Sequence, residues 1–338
     1  MQCPRIDHFV KLHPPNPVNV IRLCCHMVNN PSFKDYETMM ASDWVQEIRD
    51  TFDADKFPEE CIRCKISEEL NQYSVRQGAI EEHNRQTKED YLIADVLLDN
   101  VCNLACQFCS PMASSKIGAL HSPLYKIHDN TNHFEKLPLD RITQLDMAGG
   151  EPSHSKNVKN LLLNLPPNVN SLRINTNCTT FMDEIIPLLD KGFNISMTIS
   201  FDGVGKVQEY VRWPIKWDKF CSVLYQYKKL QSIYPNNLNL GFWTTINVLN
   251  INDFNNMKSF SNSVDISFSY SLLHSPTALN IKYKNELTNK ASEDSVLNEI
   301  FGTQLACDID NQQEFDNFIA TQDSLRGIKI SDFIETKT

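Results

Sequence analysis

Several common features are missing from this chain, and each absence narrows what it can be. No stretch of its 338 residues approaches the roughly 20 consecutive apolar positions of a membrane span. The first residues, Met1-Gln2-Cys3-Pro4-Arg5, carry no apolar core of the secretory kind. These two absences predict a cytoplasmic protein without a membrane partner. Basic residues are in deficit: 32 Lys and Arg face 42 Asp and Glu, a formal charge of -10. That argues against general nucleic-acid binding through a basic surface. No internal repeat of useful period and no long low-complexity tract is visible.

What remains has an ordinary globular composition, 41% hydrophobic and 22% charged. The length suits about two domains, and a chain of this size buries its core without disulfide staples. The 11 cysteines are therefore the main clue. In a reducing compartment they are not expected to form a disulfide framework, and those that cluster point to metal ligation or catalysis. Cys3, Cys24, Cys25, Cys61 and Cys64 fall in the first 64 residues, and Cys102, Cys106 and Cys109 form a tight group. Cys178, Cys221 and Cys307 stand apart and are read as structural, although Cys178 lies close to a strand end.

The distribution suggests three segments: 1–90, 91–275 and 276–338. The first 91 residues hold 11 basic and 16 acidic side chains, so this segment is no basic arm. After residue 90 a strand–helix rhythm begins. Runs at 91–98, 144–148, 171–175, 195–200, 238–247 and 265–271 read as strands, rich in Ile, Val, Leu, Phe and Thr. Runs at 157–165, 181–189 and 217–233 have helical apolar spacing. Such alternation predicts an α/β fold built from right-handed βαβ units around a parallel sheet. The connection from Ser110 to Arg141 is longer than such a fold needs, and reads as a short helix plus an irregular insert. The stretch from Pro276 onward is polar, with weak helical signals.

The sharpest feature is Cys102-Asn103-Leu104-Ala105-Cys106-Gln107-Phe108-Cys109, a C-x3-C-x2-C directly after the first of these strands. Loops at the carboxyl ends of parallel strands are where such folds place their chemistry. Thiolates select zinc, copper(I) or iron–sulfur clusters. Structural zinc wants four protein ligands and a cubane cluster usually takes about four cysteines. Three thiols would leave one iron of a cluster open to a substrate or cofactor.

This spacing, with an aromatic residue before the last cysteine, resembles the signature of radical S-adenosylmethionine (SAM) enzymes. The resemblance implies that Cys102, Cys106 and Cys109 hold a [4Fe-4S] cluster whose open iron binds SAM. It places Phe108 near the adenine. Ala148-Gly149-Gly150-Glu151-Pro152 ends the second strand and resembles the family's GGEP segment, which binds the SAM amino group through backbone and a carboxylate. Asn175-Thr176-Asn177 resembles the TNG segment, with Cys178 in place of the glycine. Ser200-Phe201-Asp202-Gly203 resembles the S-x-D-G segment, and Asn247 ends the fifth strand where relatives often present an Asn. The resemblance thus implies SAM contacts at Gly149, Gly150, Glu151, Pro152, Asn177, Ser200, Asp202 and Asn247. The implied fold is a partial (β/α)6 TIM-like barrel.

Cys61-Ile62-Arg63-Cys64 precedes a helical run, and Cys24-Cys25 follows the apolar stretch Val18 to Leu23. Cys3, one of Cys24 and Cys25, Cys61 and Cys64 make a complete four-thiol set, which suits structural zinc or a fully ligated cluster equally. The set resembles the auxiliary-cluster module called twitch, a short form of the SPASM domain, placed here before the barrel. By that resemblance Cys24 is taken as the ligand, and a second, auxiliary [4Fe-4S] cluster is implied.

The reading that results is a two-cluster radical SAM enzyme. It would cleave SAM reductively to a 5′-deoxyadenosyl radical and take hydrogen from a peptide, protein or small-molecule substrate. A reducing partner such as flavodoxin or ferredoxin is implied by the resemblance. Two other classes compete: a zinc-binding structural module, and a SAM-binding scaffold without turnover.

Overall fold

The computed structural model describes residues 1–12, 20–69, 73–86, 89–283 and 312–334. Cys307 lies outside the described residues, as does most of the polar stretch that follows residue 283. Among the described residues there are eight strands: β1 Phe9–Leu12, β2 Ile21–Arg22, β3 Leu92–Val96, β4 Ile142–Met147, β5 Ser171–Thr176, β6 Asn194–Ser200, β7 Leu238–Ile246 and β8 Ser267–Leu272. They form one sheet in the order β2-β1-β3-β4-β5-β6-β7-β8. β1 pairs with β2 antiparallel and with β3 parallel, and the β3–β4, β4–β5 and β7–β8 pairs are parallel. The fold is therefore α/β with an eight-stranded, mostly parallel sheet.

All six strands expected after residue 90 are present, within a few residues of their expected ends. Most are rich in β-branched, aromatic or other apolar residues and are followed within a few residues by Asn, Asp, Gly or Pro, so local preference and tertiary pairing agree. The helices expected at 157–165 and 217–233 form at Lys156–Leu163 and Trp217–Ile233. The one expected at 181–189 is a 3-10 turn, Asp183–Ile185, followed by a short helix, Ile186–Asp190. Pro187 near the start of that helix suits its first turn, where no N–H partner is needed. The insert after Ser110 contains the helix Ser115–His121 and the 3-10 segment Thr131–Lys136.

Contacts divide the chain into two compact units. The first comprises residues 1–100, 127–174 and 184–195. Its apolar sheet face carries Leu92, Ala94 and Val96 from β3, Leu145 and Met147 from β4, and Leu172 and Ile174 from β5, all buried. β1 joins the front segment to β3 as a parallel neighbour. The helix Asp43–Asp53 starts at Ser42, whose side chain accepts from the Val45 amide, and buries Val45, Ile48 and Phe52 at helical spacing. The helix Val75–Arg85 opens with a reciprocal capping box between Ser74 and Gln77.

The second unit comprises residues 101–126, 175–183 and 196–338. Phe201 sits at its centre, fully buried, with Phe242, Phe260 and Phe220 rings 4.5, 5.4 and 5.9 Å away. The helix Trp217–Ile233 packs Phe220, Val223, Leu224, Tyr227 and Leu230 inward, the i, i+3, i+4 pattern seen in the sequence. Burial of one such side chain contributes roughly 1.5–3 kcal/mol. A further cluster, Tyr210, Val211, Leu249, Leu273, Leu279 and Ile319, ties the helix Gln312–Arg326 to the rest of this unit.

Gly149 has φ +90°, and a Cβ there would lie 2.3 Å from the Leu97 side chain. Gly192 has φ +85° with no neighbour within 4 Å of such a Cβ. Gly192→Ala therefore carries only the backbone penalty of about 1 kcal/mol. Gly149→Ala adds a clash, and is expected to lose more than about 2 kcal/mol. Urea unfolding of the two variants checks this order, and equal losses would refute it.

Candidate functional site

The cysteine loop has almost no regular structure, so its shape depends on hydrogen bonds from elsewhere. Its backbone docks on the end of the helix Lys206–Val211 and the residues that follow: the Ala105 amide donates to the Trp213 carbonyl at 2.7 Å, and the Gln107 amide to the Val211 carbonyl at 2.9 Å. Ser114 caps the helix Ser115–His121 and donates its hydroxyl to the Leu104 carbonyl at 2.6 Å. Ser115 accepts from the Cys102 amide at 3.1 Å. From the C-terminal helix, the buried Arg326 donates to the carbonyls of Ala105 and Cys106 at 2.9 and 3.2 Å. Asp323, one turn earlier, accepts from the Tyr210 hydroxyl at 2.8 Å and from the Ile330 amide at 2.7 Å.

These contacts bring Cys102, Cys106 and Cys109 into mutual electrostatic range. Burial pushes the Cys109 thiol up to about 12, and the neighbouring Cys106 and Cys102 push the same way. Burial also raises Cys106, opposed by Arg212. Arg212 Nη1 lies 3.9 Å from Cys106 Sγ, and its guanidinium carbon lies 5.7 Å from the Phe108 ring centroid. Arg212 Nε in turn donates to Asp202 Oδ2 at 2.5 Å. A permanent cation thus stands beside the thiols, held by a fully buried carboxylate.

Other residues of the expected set have definite places in this unit. Asn177 donates to the Asn103 side chain at 2.9 Å and accepts from the Thr179 hydroxyl at 2.6 Å, so it fastens the cysteine loop. Cys178 is fully buried with φ +59°, in the left-handed region that favours glycine. Asp202 accepts from the Thr245 amide at 2.7 Å as well as from Arg212. Asn247 is fully buried, and its side chain bonds within its own turn, to the Thr245 carbonyl and the Leu249 amide. Ser200 closes β6, and its carbonyl accepts from Gln208.

Gly149 to Pro152 belong to the first unit. Gly149 and Gly150 both have positive φ, +90° and +55°. Glu151 is buried, accepts from the Ser153 amide and hydroxyl, and so caps the 3-10 turn Pro152–His154. Asp99, in the loop after β3, accepts from Ser155 at 2.6 Å and Asn157 at 2.9 Å, which anchors the start of the next helix.

The front thiols also meet. Cys3, Cys24, Cys61 and Cys64 line one small cavity, partly open to solvent, together with Arg5 and Arg76. Burial pushes Cys3 up to about 11 and Cys61 up to about 12. Cys24 goes the other way, down to about 7, because Cys25 donates to it and Arg5 faces it. Cys25 is exposed, raised by that same hydrogen bond, and lies 3.4 Å from Arg5 Nη1. Among the described residues, no three His, Cys, Asp or Glu side chains surround a single metal-ion position. A cluster takes its thiolates around a body larger than one ion, and both thiol groups have the donor chemistry for it.

Arg212, Arg326 and Asn103 were not singled out in the sequence. An Arg twelve residues after Ser200, or far along a polar C-terminal helix, carries no local signal of the loop it serves.

No protein-family model matches the chain, and no curated protein matches it. Solved structures do. SuiB of Streptococcus suis, determined with S-adenosylmethionine bound, is 14% identical over 74% of this chain and 48% of its own, with a TM-score of 0.38. SuiB bound to its precursor peptide SuiA gives 13% identity over 83% and 60%, with a TM-score of 0.42. TsrM of Kitasatospora setae is a radical S-adenosylmethionine methyltransferase determined with cobalamin and a [4Fe-4S] cluster. It is 13% identical over 64% of this chain and 41% of its own, with a TM-score of 0.37. The chain thus spans about half of the first of these structures and three fifths of the second. At TM-scores below 0.5 these likenesses decide nothing about its chemistry, which rests on its own residues.

Two outcomes follow for the metal-free protein. Arg326→Met leaves the Ala105 and Cys106 carbonyls without their buried donor, with an expected loss of about 3 kcal/mol. It should also speed alkylation of Cys106, read by mass spectrometry under native conditions; unchanged protection would show that the loop holds itself. At the front, Arg5 faces both Cys24 and Cys25, so Arg5→Met should raise the pH at which iodoacetamide alkylates this thiol pair, and an unchanged pH profile would overturn the role given to Arg5.

Proposed function

We propose that this chain is a radical SAM enzyme with an auxiliary thiol-ligated centre. The observation that carries the proposal is the gathering of Cys102, Cys106 and Cys109 on one fastened loop with the Arg212 guanidinium beside them. When bound there, a [4Fe-4S] cluster would supply an open iron for SAM and, once reduced by an external electron donor, the electron that splits SAM into methionine and a 5′-deoxyadenosyl radical.

The chain's own residues do the rest. Arg326, Asn177 and Ser114 fix the loop carrying the thiols. Arg212 places a positive charge where three thiolates gather negative charge, a countercharge that burial makes strong. Thiols that burial keeps protonated in the metal-free chain must lose their protons on ligation, so cluster affinity rises with pH. Gly149 and Gly150 turn the backbone so that Glu151 follows in a buried position, suited to an ammonium group such as that of SAM. Six strands consecutive in both chain and sheet, β3 to β8, are the order that a partial (β/α)6 barrel needs. Cys3, Cys24, Cys61 and Cys64 would hold the auxiliary cluster in the front cavity. The substrate would be a peptide, a protein or a small molecule.

The test is anaerobic iron and sulfide counting with EPR, on the parent and on the Cys102→Ala/Cys106→Ala/Cys109→Ala variant. Two clusters give about eight irons in the parent and about four in the variant. About four and none would keep the SAM cluster and remove the auxiliary one. Zinc without iron after anaerobic reconstitution would overturn the proposal.

A further inference from the structure

The face of the sheet opposite the apolar core of the first unit carries an unusual row. Register places Lys11 of β1 beside Asp95 of β3, Asp95 beside Asp146 of β4, and Asp146 beside Arg173 of β5. Residues paired across parallel strands emerge on the same face. The order of charges across four strands is therefore plus, minus, minus, plus. Lys11 Nζ lies 2.6 Å from Asp95 Oδ2, and Arg173 Nη1 lies 2.8 Å from Asp146 Oδ2. Arg173 Nη2 also meets Glu82, from the helix Val75–Arg85, at 2.8 Å. Inner strands of parallel sheets are ordinarily apolar on both faces. Four charged side chains here need a reason beyond the core.

Two atoms on this face supply one. Asp95 is only 8% exposed, and its Oδ1 is buried with no hydrogen-bond partner. Arg5 Nε is likewise buried and unpartnered. The Arg5 guanidinium lies 4.0 Å from the Phe9 ring centroid, and Phe9 precedes Lys11 by two residues on β1, hence on the same face. The face thus offers one unmatched acceptor and one unmatched donor. Its charges already balance: Arg5, Lys11 and Arg173 against Glu82, Asp95 and Asp146. A cationic ligand would upset that balance, and a carboxylate would meet Asp95. A neutral group that donates and accepts at once would satisfy both atoms.

We infer that this face binds an amide group of the substrate, with its N–H donated to Asp95 Oδ1 and its carbonyl accepting from Arg5 Nε. The class of substrate is then peptide or carboxamide. This deepens the proposed function and rests on it for calling the ligand a substrate.

The probe is N-acetylglycine N-methylamide, a neutral secondary diamide, with the fully N-methylated tertiary diamide as control. Binding is followed by calorimetry and ligand-observed NMR on the reconstituted full chain, with iron counted on the same sample. The secondary amide should bind saturably, and the tertiary amide, which has no N–H, at least tenfold more weakly. Asp95→Asn keeps the bond from Lys11 but replaces the unpartnered acceptor with an N–H donor, and should weaken the secondary amide at least tenfold. If that variant does not fold, Arg5→Lys, which removes Nε, should weaken it likewise. Equal binding of the two diamides, or no effect of either folded variant, would overturn the inference. So would the absence of saturable binding, with an ordered water alone on Asp95 Oδ1 in a crystal structure. Iron retained without amide binding defeats this inference and spares the cluster reading. Amide binding without iron does the reverse.

Discussion

Two hydrogen bonds from one guanidinium, Arg326 to the carbonyls of Ala105 and Cys106, set the shape on which the cysteine loop depends. A loop that carries three thiols in eight residues has no room for secondary structure of its own. Its backbone groups must be matched from outside, because an unmatched buried carbonyl is costly. The match comes from the C-terminal helix, the 211–213 segment and the Asn103–Asn177–Thr179 set, all in one compact unit. The polar C-terminal region, which carries no recognisable motif, thereby contributes to the position of the thiols.

Both thiol groups share an electrostatic plan. Arg212 stands beside Cys106 and is itself held by buried Asp202. Arg5 stands beside Cys24 and Cys25, and Arg76, paired with Glu68, lines the same cavity as Cys3 and Cys64. Arginine keeps its charge in places where a lysine would lose its proton. Removing one partner of a buried ion pair such as Arg212–Asp202 costs roughly 3–5 kcal/mol, so the countercharge is fixed along with the fold. Burial raises most of these thiols and the arginines oppose it; Cys24 falls below its ordinary value because Cys25 donates to it and Arg5 faces it.

The front segment joins the sheet through β1, beside β3, and this pairing puts Lys11 and Phe9 on the face that carries Asp95 and Asp146. Here the structure departs from the plain alternation of core and solvent. One face of β3 to β5 is largely apolar, and the other combines buried charge with two atoms left unmatched. Departures of this kind from local consistency are where ligand chemistry is to be sought.

The strands after residue 90 and the two main helices were legible in the sequence, because each is a local pattern: a short β-branched run closed by turn residues, or apolar residues at helical spacing. The same holds for the cysteine triplet, since ligands within an eight-residue span need no fold to bring them near one another. The arrangement of the front thiols was legible only as a count. That Cys3, Cys24, Cys61 and Cys64 share a cavity required the chain to return over 60 residues. β1, the cation beside Cys106 and the fastening by Arg326 left no trace in the sequence, because each joins residues 80 to 220 positions apart. Asn177 and Asn247 are alike as strand-ending asparagines, yet one reaches the cysteine loop and the other closes its own turn. Residue type and spacing determined the elements and the thiol chemistry; which buried polar group meets which was decided by the tertiary structure, since hydrogen-bond partners are set by proximity in space.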